Sequence, residues 1–244
     1  LYVLRSAARA LGLDVELTKA ELGGRYPEFL AEGATDFLAE NYWTLQTWRA
    51  RGSPFVSVAS TVTVLNETLL VDPSITSISE LRGKRLAVRA VGPSKLIPLL
   101  WLEDNGLGGD VEPVFFPDDV VGRWGNWRKV AARECDAAFV TNLYAHEGLA
   151  AGLRALPIRP YGFLGNITLT TTEAFIDSHR EKVQTLVAAM FEASRTFRND
   201  PEKTMSIISG EPQRLMEVQS RSEMERIYDV LKSELSEIPL PSAA

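Results

Sequence analysis

The segment Asp36-Phe37-Leu38-Ala39-Glu40-Asn41-Tyr42 is echoed downstream by Asp136-Ala137-Ala138-Phe139-Val140-Thr141-Asn142-Leu143-Tyr144. Each copy places an Asp before a short apolar run, then an Asn and an aromatic residue at the opening of a helical pattern. An apolar run of this length reads as a buried strand, and Asn is among the preferred helix N-caps. A chain that twice passes from strand to helix in this way is constrained to alternate the two. Alternation builds an α/β sheet, in which ligands bind beyond the carboxyl ends of the strands, where helix N-termini present free N–H groups.

The rest of the chain agrees with alternation. Residues 2–11 read as an amphipathic helix stopped by Gly12, and Leu13-Asp14-Val15-Glu16-Leu17 alternates as a strand does. A short helix with Pro27 in its first turn follows, then the first copy of the echo with a helix over 41–51. The β-rich run 54–65 and the strand 68–71 come next. Around Pro73 to Ser79 the pattern restarts: strands over 84–88, 111–116, 136–140, 153–156 and 166–170 alternate with helices over 94–105, 127–134 and 143–151. Beyond Thr172 the chain reads as helix: 173–197, 201–208 and 217–235. The expected fold is α/β, two αβ lobes with mostly parallel sheets around a cleft, and a helical C-terminal tail. Lobe 1 is read as 1–76 plus 171–244, and lobe 2 as 77–170.

Composition removes several function classes. The 26 Lys and Arg against 32 Asp and Glu give a net charge of -6, which argues against a broad basic face for nucleic acid. The single cysteine, Cys135, excludes intrachain disulfides and cysteine-rich metal sites. His146 and His179 have no second His or Cys at ligand spacing, so no metal is expected. No Gly-x-Ser-x-Gly elbow is present, and no cofactor is expected.

A family resemblance enters at Ile78-Ser79-Glu80-Leu81-Arg82-Gly83-Lys84-Arg85-Leu86-Ala87-Val88. This stretch is similar to the segment that enters the second lobe of type II periplasmic substrate-binding folds. Gly33-Ala34-Thr35-Asp36-Phe37, Gly52-Ser53-Pro54-Phe55-Val56, Cys135-Asp136-Ala137-Ala138 and Asn199-Asp200-Pro201-Glu202 resemble further motifs of that fold. The branch it most resembles is the sulfonate/nitrate/thiamine-precursor binding proteins of ABC importers. That resemblance implies a monomer that closes by a hinge on a small molecule and docks on a membrane permease. It implies a periplasmic or membrane-anchored extracytoplasmic location. It also implies that an N-terminal strand and a final segment of the family fold lie outside this sequence.

Three clusters are candidate ligand contacts. The turn Arg89 to Lys95 follows a strand and opens a helix; Gly92 allows close backbone approach, Ser94 offers a hydroxyl, and Arg89 and Lys95 suit a carboxylate, sulfonate or phosphate. In the resembled family this turn contacts ligand. At the first junction, Glu40 accepts, Asn41 donates and accepts, and Tyr42 or Trp43 stacks on a flat ligand. Thr141, Asn142 and Tyr144 repeat that menu at the second junction. Trp124, in the loop 117–127, is a further candidate, while Trp127 reads as core. Tyr161-Gly162-Phe163, ahead of Asn166, is a candidate hinge.

The leading functional expectation is a binding protein for a small anionic or aromatic organic molecule. The alternative is an enzyme on the same scaffold. A thiamine-pyrimidine-type synthase would need a cysteine-rich motif that this chain lacks, whereas an aromatic carboxylate decarboxylase would be cytoplasmic and would use Glu40 with Arg89. A ligand-sensing domain feeding a partner protein is the third possibility.

Overall fold

The computed structural model describes residues 1–18, 26–62, 67–90, 93–117, 125–158, 168–210 and 220–240. Its elements run α1 (Tyr2–Ala10), α2 (Tyr26–Ala31), β1 (Leu38–Glu40), α3 (Tyr42–Arg49), β2 (Phe55–Val62), β3 (Glu67–Val71) and a 3-10 turn (Ile78–Leu81). Then come β4 (Arg85–Arg89), α4 (Pro93–Asp104), β5 (Glu112–Phe116), α5 (Trp127–Ala131), β6 (Ala137–Thr141), α6 (Asn142–Ala150) and β7 (Arg154–Leu156). The chain finishes with β8 (Thr168–Thr172), α7 (Glu173–Ser178), α8 (Arg180–Asn199), α9 (Pro201–Ser209), α10 (Arg221–Glu234) and β9 (Leu235–Leu240). They form two compact units, Leu1–Val64 with Gly162–Ala244, and Leu65–Tyr161.

The first unit holds a sheet of order β1-β8-β2-β9 in which every pairing is antiparallel. Val183, Leu186, Ala189, Met190, Ala193 and Ser194 are the buried positions of α8, spaced as one face of a helix requires. Against them lie Val3, Leu4 and Ala8 of α1 and Ala59 and Leu169 of the sheet. The sheet also carries buried hydroxyls: Ser57 bonds Thr170 at 3.2 Å, and Thr168 donates to Ser60 at 3.2 Å. Paired in this way, polar side chains are accommodated inside β2 and β8.

The second unit holds a sheet of order β5-β4-β6-β3-β7, with β4 parallel to β5 and β6 and β3 antiparallel to β6 and β7. Strand alternation divides its core. Leu69, Val71, Leu86, Val88 and Phe139 pack with Trp101 and Leu102 of α4, while Leu70, Ala87, Ala138 and Val140 pack with Val130, Cys135 and Leu153. Gly83 takes φ 73°, where an L side chain is strained, and its N–H donates to Asp110 O at 2.6 Å. That fixes the turn into β4 and explains the glycine of the Leu-x-Gly-Lys motif.

Gly148, on α6, is a sharper constraint. A Cβ there would collide with Leu70 Cδ1, which is wholly buried, and would sit 3.4 Å from Trp127 Cβ. Gly148→Ala is expected to cost about 1–3 kcal/mol through overpacking. Urea unfolding of the variant against the parent checks this, and equal stability would mean that Leu70 moves aside freely.

The α/β class holds, with four corrections. The sheets are mixed, because two of the seven described strand pairings are parallel. Parallel neighbours need a crossover, and the described helices supply one only along β4-α4-β5-α5-β6. Residues 13–17 keep an alternating exposure pattern but form no ladder; Leu13 and Val15 pack against the α1–α8 core instead. Residues 67–71, read with lobe 1, form β3 of the five-stranded sheet. The helical tail is broken at His179 and ends in β9, which pairs with β2.

Candidate functional site

In the second unit, three strand ends and a helix start come together on one sheet edge. Arg89 is the last residue of β4, Thr141 the last of β6, and Glu67, the first of β3, is the register partner of Thr141. Asn142 opens α6, and its Oδ1 accepts from Thr68 Oγ1 at 2.7 Å. The antiparallel placement of β3 between β6 and β7 brings its first residues to the carboxyl ends of β4 and β6. This is the edge at which open α/β sheets bind ligands.

The electrostatics of that edge are unusual. Arg89 is 7% exposed, a buried guanidinium. Glu67 Oε2 is closed off from solvent and has no hydrogen-bond partner among the described residues, although the residue keeps some exposed surface. Burial pushes the carboxyl up from its ordinary 4.5 to about 7, against the opposing pull of the Arg89 charge. A buried acid poised near neutrality beside a buried cation can switch between accepting and donating a hydrogen bond. Glu67 escaped the sequence reading because it sits outside any motif. The available signal was a lone acid opening an apolar strand run, Glu67-Thr68-Leu69-Leu70-Val71.

Asn126 was missed as well. It is 2% exposed, and its Nδ2 donates to Phe139 O at 2.6 Å. A single side chain thereby anchors the segment before α5 to the strand that carries Thr141.

The remaining predicted residues of this unit divide. Lys95 is exposed, with Nζ 5.3 Å from the centre of the Phe115 ring. Ser94 lies in the first turn of α4. Tyr144 is half-buried and packs against the Leu70–Val140 cluster. Gly92, Trp124, Tyr161, Gly162, Phe163 and Asn166 lie outside the described residues. Trp127 packs against the Leu70–Val140 cluster, and Cys135 is buried, with burial raising its thiol pKa. The Asp of the second echo copy is structural: Asp136 Oδ2 accepts from Arg85 N at 2.8 Å, at the end of the sheet away from Arg89.

The first unit carries the other junction. Glu40 ends β1 opposite Thr168, and Asn41 caps α3 by accepting from Trp43 N at 2.9 Å. Tyr42 and Trp43 meet edge to face at 6.4 Å, with Trp43 38% exposed. The echo is therefore offset: Asn41 is a cap, whereas Asn142 is a helical residue preceded by Thr141. An apolar groove in this unit, lined by Leu11, Val183, Val187 and Phe191, contains none of the predicted site residues. Among the described residues no His, Cys, Asp or Glu cluster suited to a metal ion is present, and no helix is long and apolar enough to cross a membrane.

Comparison with known proteins gives the family and the fold. The model of the family described as NMT1/THI5 like matches residues 9–204. No curated protein sequence matches the chain. Among solved structures, the periplasmic aliphatic sulphonate-binding protein SsuA from Escherichia coli superposes with a TM-score of 0.74 at 16% identity, over 99% of this chain and 78% of that one. The alkanesulfonate-binding protein SsuA from Xanthomonas axonopodis pv. citri, bound to MOPS, gives 0.64 at 19% identity over 99% and 80%. A nutrient-binding protein from Burkholderia cenocepacia bound to methionine gives 0.54 at 19% identity over 81% and 89%.

Proposed function

This chain belongs to the NMT1/THI5-like family, and from that premise we propose that it is the substrate-binding protein of an ABC-type importer. It works outside the cytoplasm, takes up a small organic anion and delivers it to a membrane permease. The single observation that carries the ligand class is Arg89, a buried cation at the carboxyl end of β4 beside the β6–α6 junction. A guanidinium there offers a fixed fork of donors to a carboxylate or sulfonate, in a setting where water competes weakly. Thr141 and Asn142 supply neighbouring polar groups, and Lys95 adds positive charge at the start of α4. Glu40, Asn41, Tyr42 and Trp43 form the corresponding set of the first unit. The discontinuous two-lobe organisation read from the sequence is part of the same proposal. The fold likeness to proteins that bind an alkanesulfonate, MOPS and methionine supports it and makes sulfonates the first class to try.

The function requires no chemistry on the ligand, and this separates it from the decarboxylase reading. That reading has Glu40 and Arg89 handle a carboxylate and its leaving proton. A thermal-shift screen of alkanesulfonates, aromatic carboxylates, pyrimidines and nitrate, with product analysis of every hit, tests the proposal. A ligand at 100 times its Kd is expected to add about 2.7 kcal/mol of stability by mass action and to be recovered unchanged. Conversion of a hit into product would replace binding protein with enzyme.

A further inference from the structure

Glu67 has no evident structural purpose. A carboxyl on the first residue of a strand can usually turn to solvent, yet here Oε2 is buried and has no hydrogen-bond partner among the described residues. Buried polar atoms are nearly always paired, so one left open at a sheet edge marks a place that something else completes. Its surroundings are those of the anion site. Thr141 is its register partner, Thr68 and Asn142 are bonded to each other beside it, and Arg89 is, among the described residues, a charged group whose field reaches it. A purely anionic ligand held by Arg89 would leave Glu67 open or repelled. A ligand that also carries a donor would engage both and complete Glu67 Oε2.

We propose that Glu67 is a ligand-recognition residue whose carboxyl accepts a hydrogen bond from an N–H or O–H group of the same anion that Arg89 holds. The substrate class then narrows from organic anions to anions bearing a donor, such as amino or hydroxy acids in the broad chemical sense. This rests on the binding-protein reading above and deepens it. It also makes selectivity pH-dependent. As Glu67 loses its proton near neutrality, it becomes an acceptor only, and the preference for a donor rises.

The test uses the full chain and two isosteric pairs: 3-aminopropane-1-sulfonate against butane-1-sulfonate, and 3-hydroxybenzoate against 3-methylbenzoate. Isothermal titration at about pH 8 is expected to show the donor-bearing member bound about tenfold or more tightly in at least one pair. The preference should shrink at about pH 6. Glu67→Met should bring that pair to within about threefold. If Glu67→Met does not fold, Glu67→Gln serves, and it should abolish the pH dependence of the preference. Methyl members bound as well as the donors, or a preference that survives in both variants, would overturn the proposal and leave the binding-protein reading standing. Failure of all four probes would also overturn it. The binding-protein reading itself falls only if the wider screen is empty too.

Discussion

Arg89→Ala is expected to weaken binding of an anionic ligand by about tenfold or more, the loss of one charged hydrogen-bonding partner at roughly 1.5–3 kcal/mol. The size follows from where the guanidinium sits. At 7% exposed it has already left most of its hydration behind, so a ligand carboxylate or sulfonate would meet it with little competition from water. The paired control is Lys95→Ala. Lys95 is exposed and rests near the Phe115 ring, so its removal should change affinity by a few-fold at most and respond to added salt. Isothermal titration of both variants with the strongest anionic hit decides the matter. Equal losses would mean that the anion lies at the α4 start rather than at the end of β4. An unchanged Kd in Arg89→Ala would remove that residue from the site. The same variant carries an internal check: without the Arg89 charge the Glu67 proton is held more tightly still, so any pH dependence traced to Glu67 should move upward.

The two lobes' worth of elements were legible because their signals are local. Asn41 capping α3, Gly83 at a left-handed turn and the 3.6-residue spacing of Val183, Leu186, Ala189, Met190 and Ala193 all speak for structure within a few residues of themselves. Strand direction is not local. Residues 13–17 alternate well enough for a strand, but a strand needs a neighbour, and those residues face the α1–α8 core without one. Nor does the composition of β8 announce that Thr168 and Thr170 will pair with hydroxyls more than a hundred residues away on β2. The same limit hid one member of the candidate site. Arg89, Thr141 and Asn142 end or begin elements with readable patterns. Glu67 acquires its meaning only when β3 runs antiparallel to β6 and sets its first residue against Thr141.

Glu67→Gln is expected to stabilise the ligand-free protein above neutral pH by an amount on the order of 3 kcal/mol, with the gain fading in acid. The carboxyl holds its proton up to about 7 in the folded chain, against 4.5 in the ordinary case. The folded state therefore binds that proton more tightly than the unfolded one does. What the protonated group contributes is fully present below about pH 4.5 and is lost as pH rises through 7. A glutamine has no proton to lose, so its stability is flat across the same window. Any fixed packing difference between the two side chains shifts the curves without changing their slopes. The quantity to measure is therefore the gap between variant and parent in urea unfolding at about pH 5 and pH 8. A gap that widens by a few kcal/mol toward pH 8 means that an ionised carboxylate is being kept in a place that disfavours it. A constant gap would mean that Glu67 is solvated after all. A cost of that kind at a sheet edge, next to a buried cation, is one that a bound donor can offset. Adding the preferred donor-bearing anion should accordingly narrow the pH 8 gap in the parent's favour, so the stability and selectivity measurements test the same carboxyl from opposite sides.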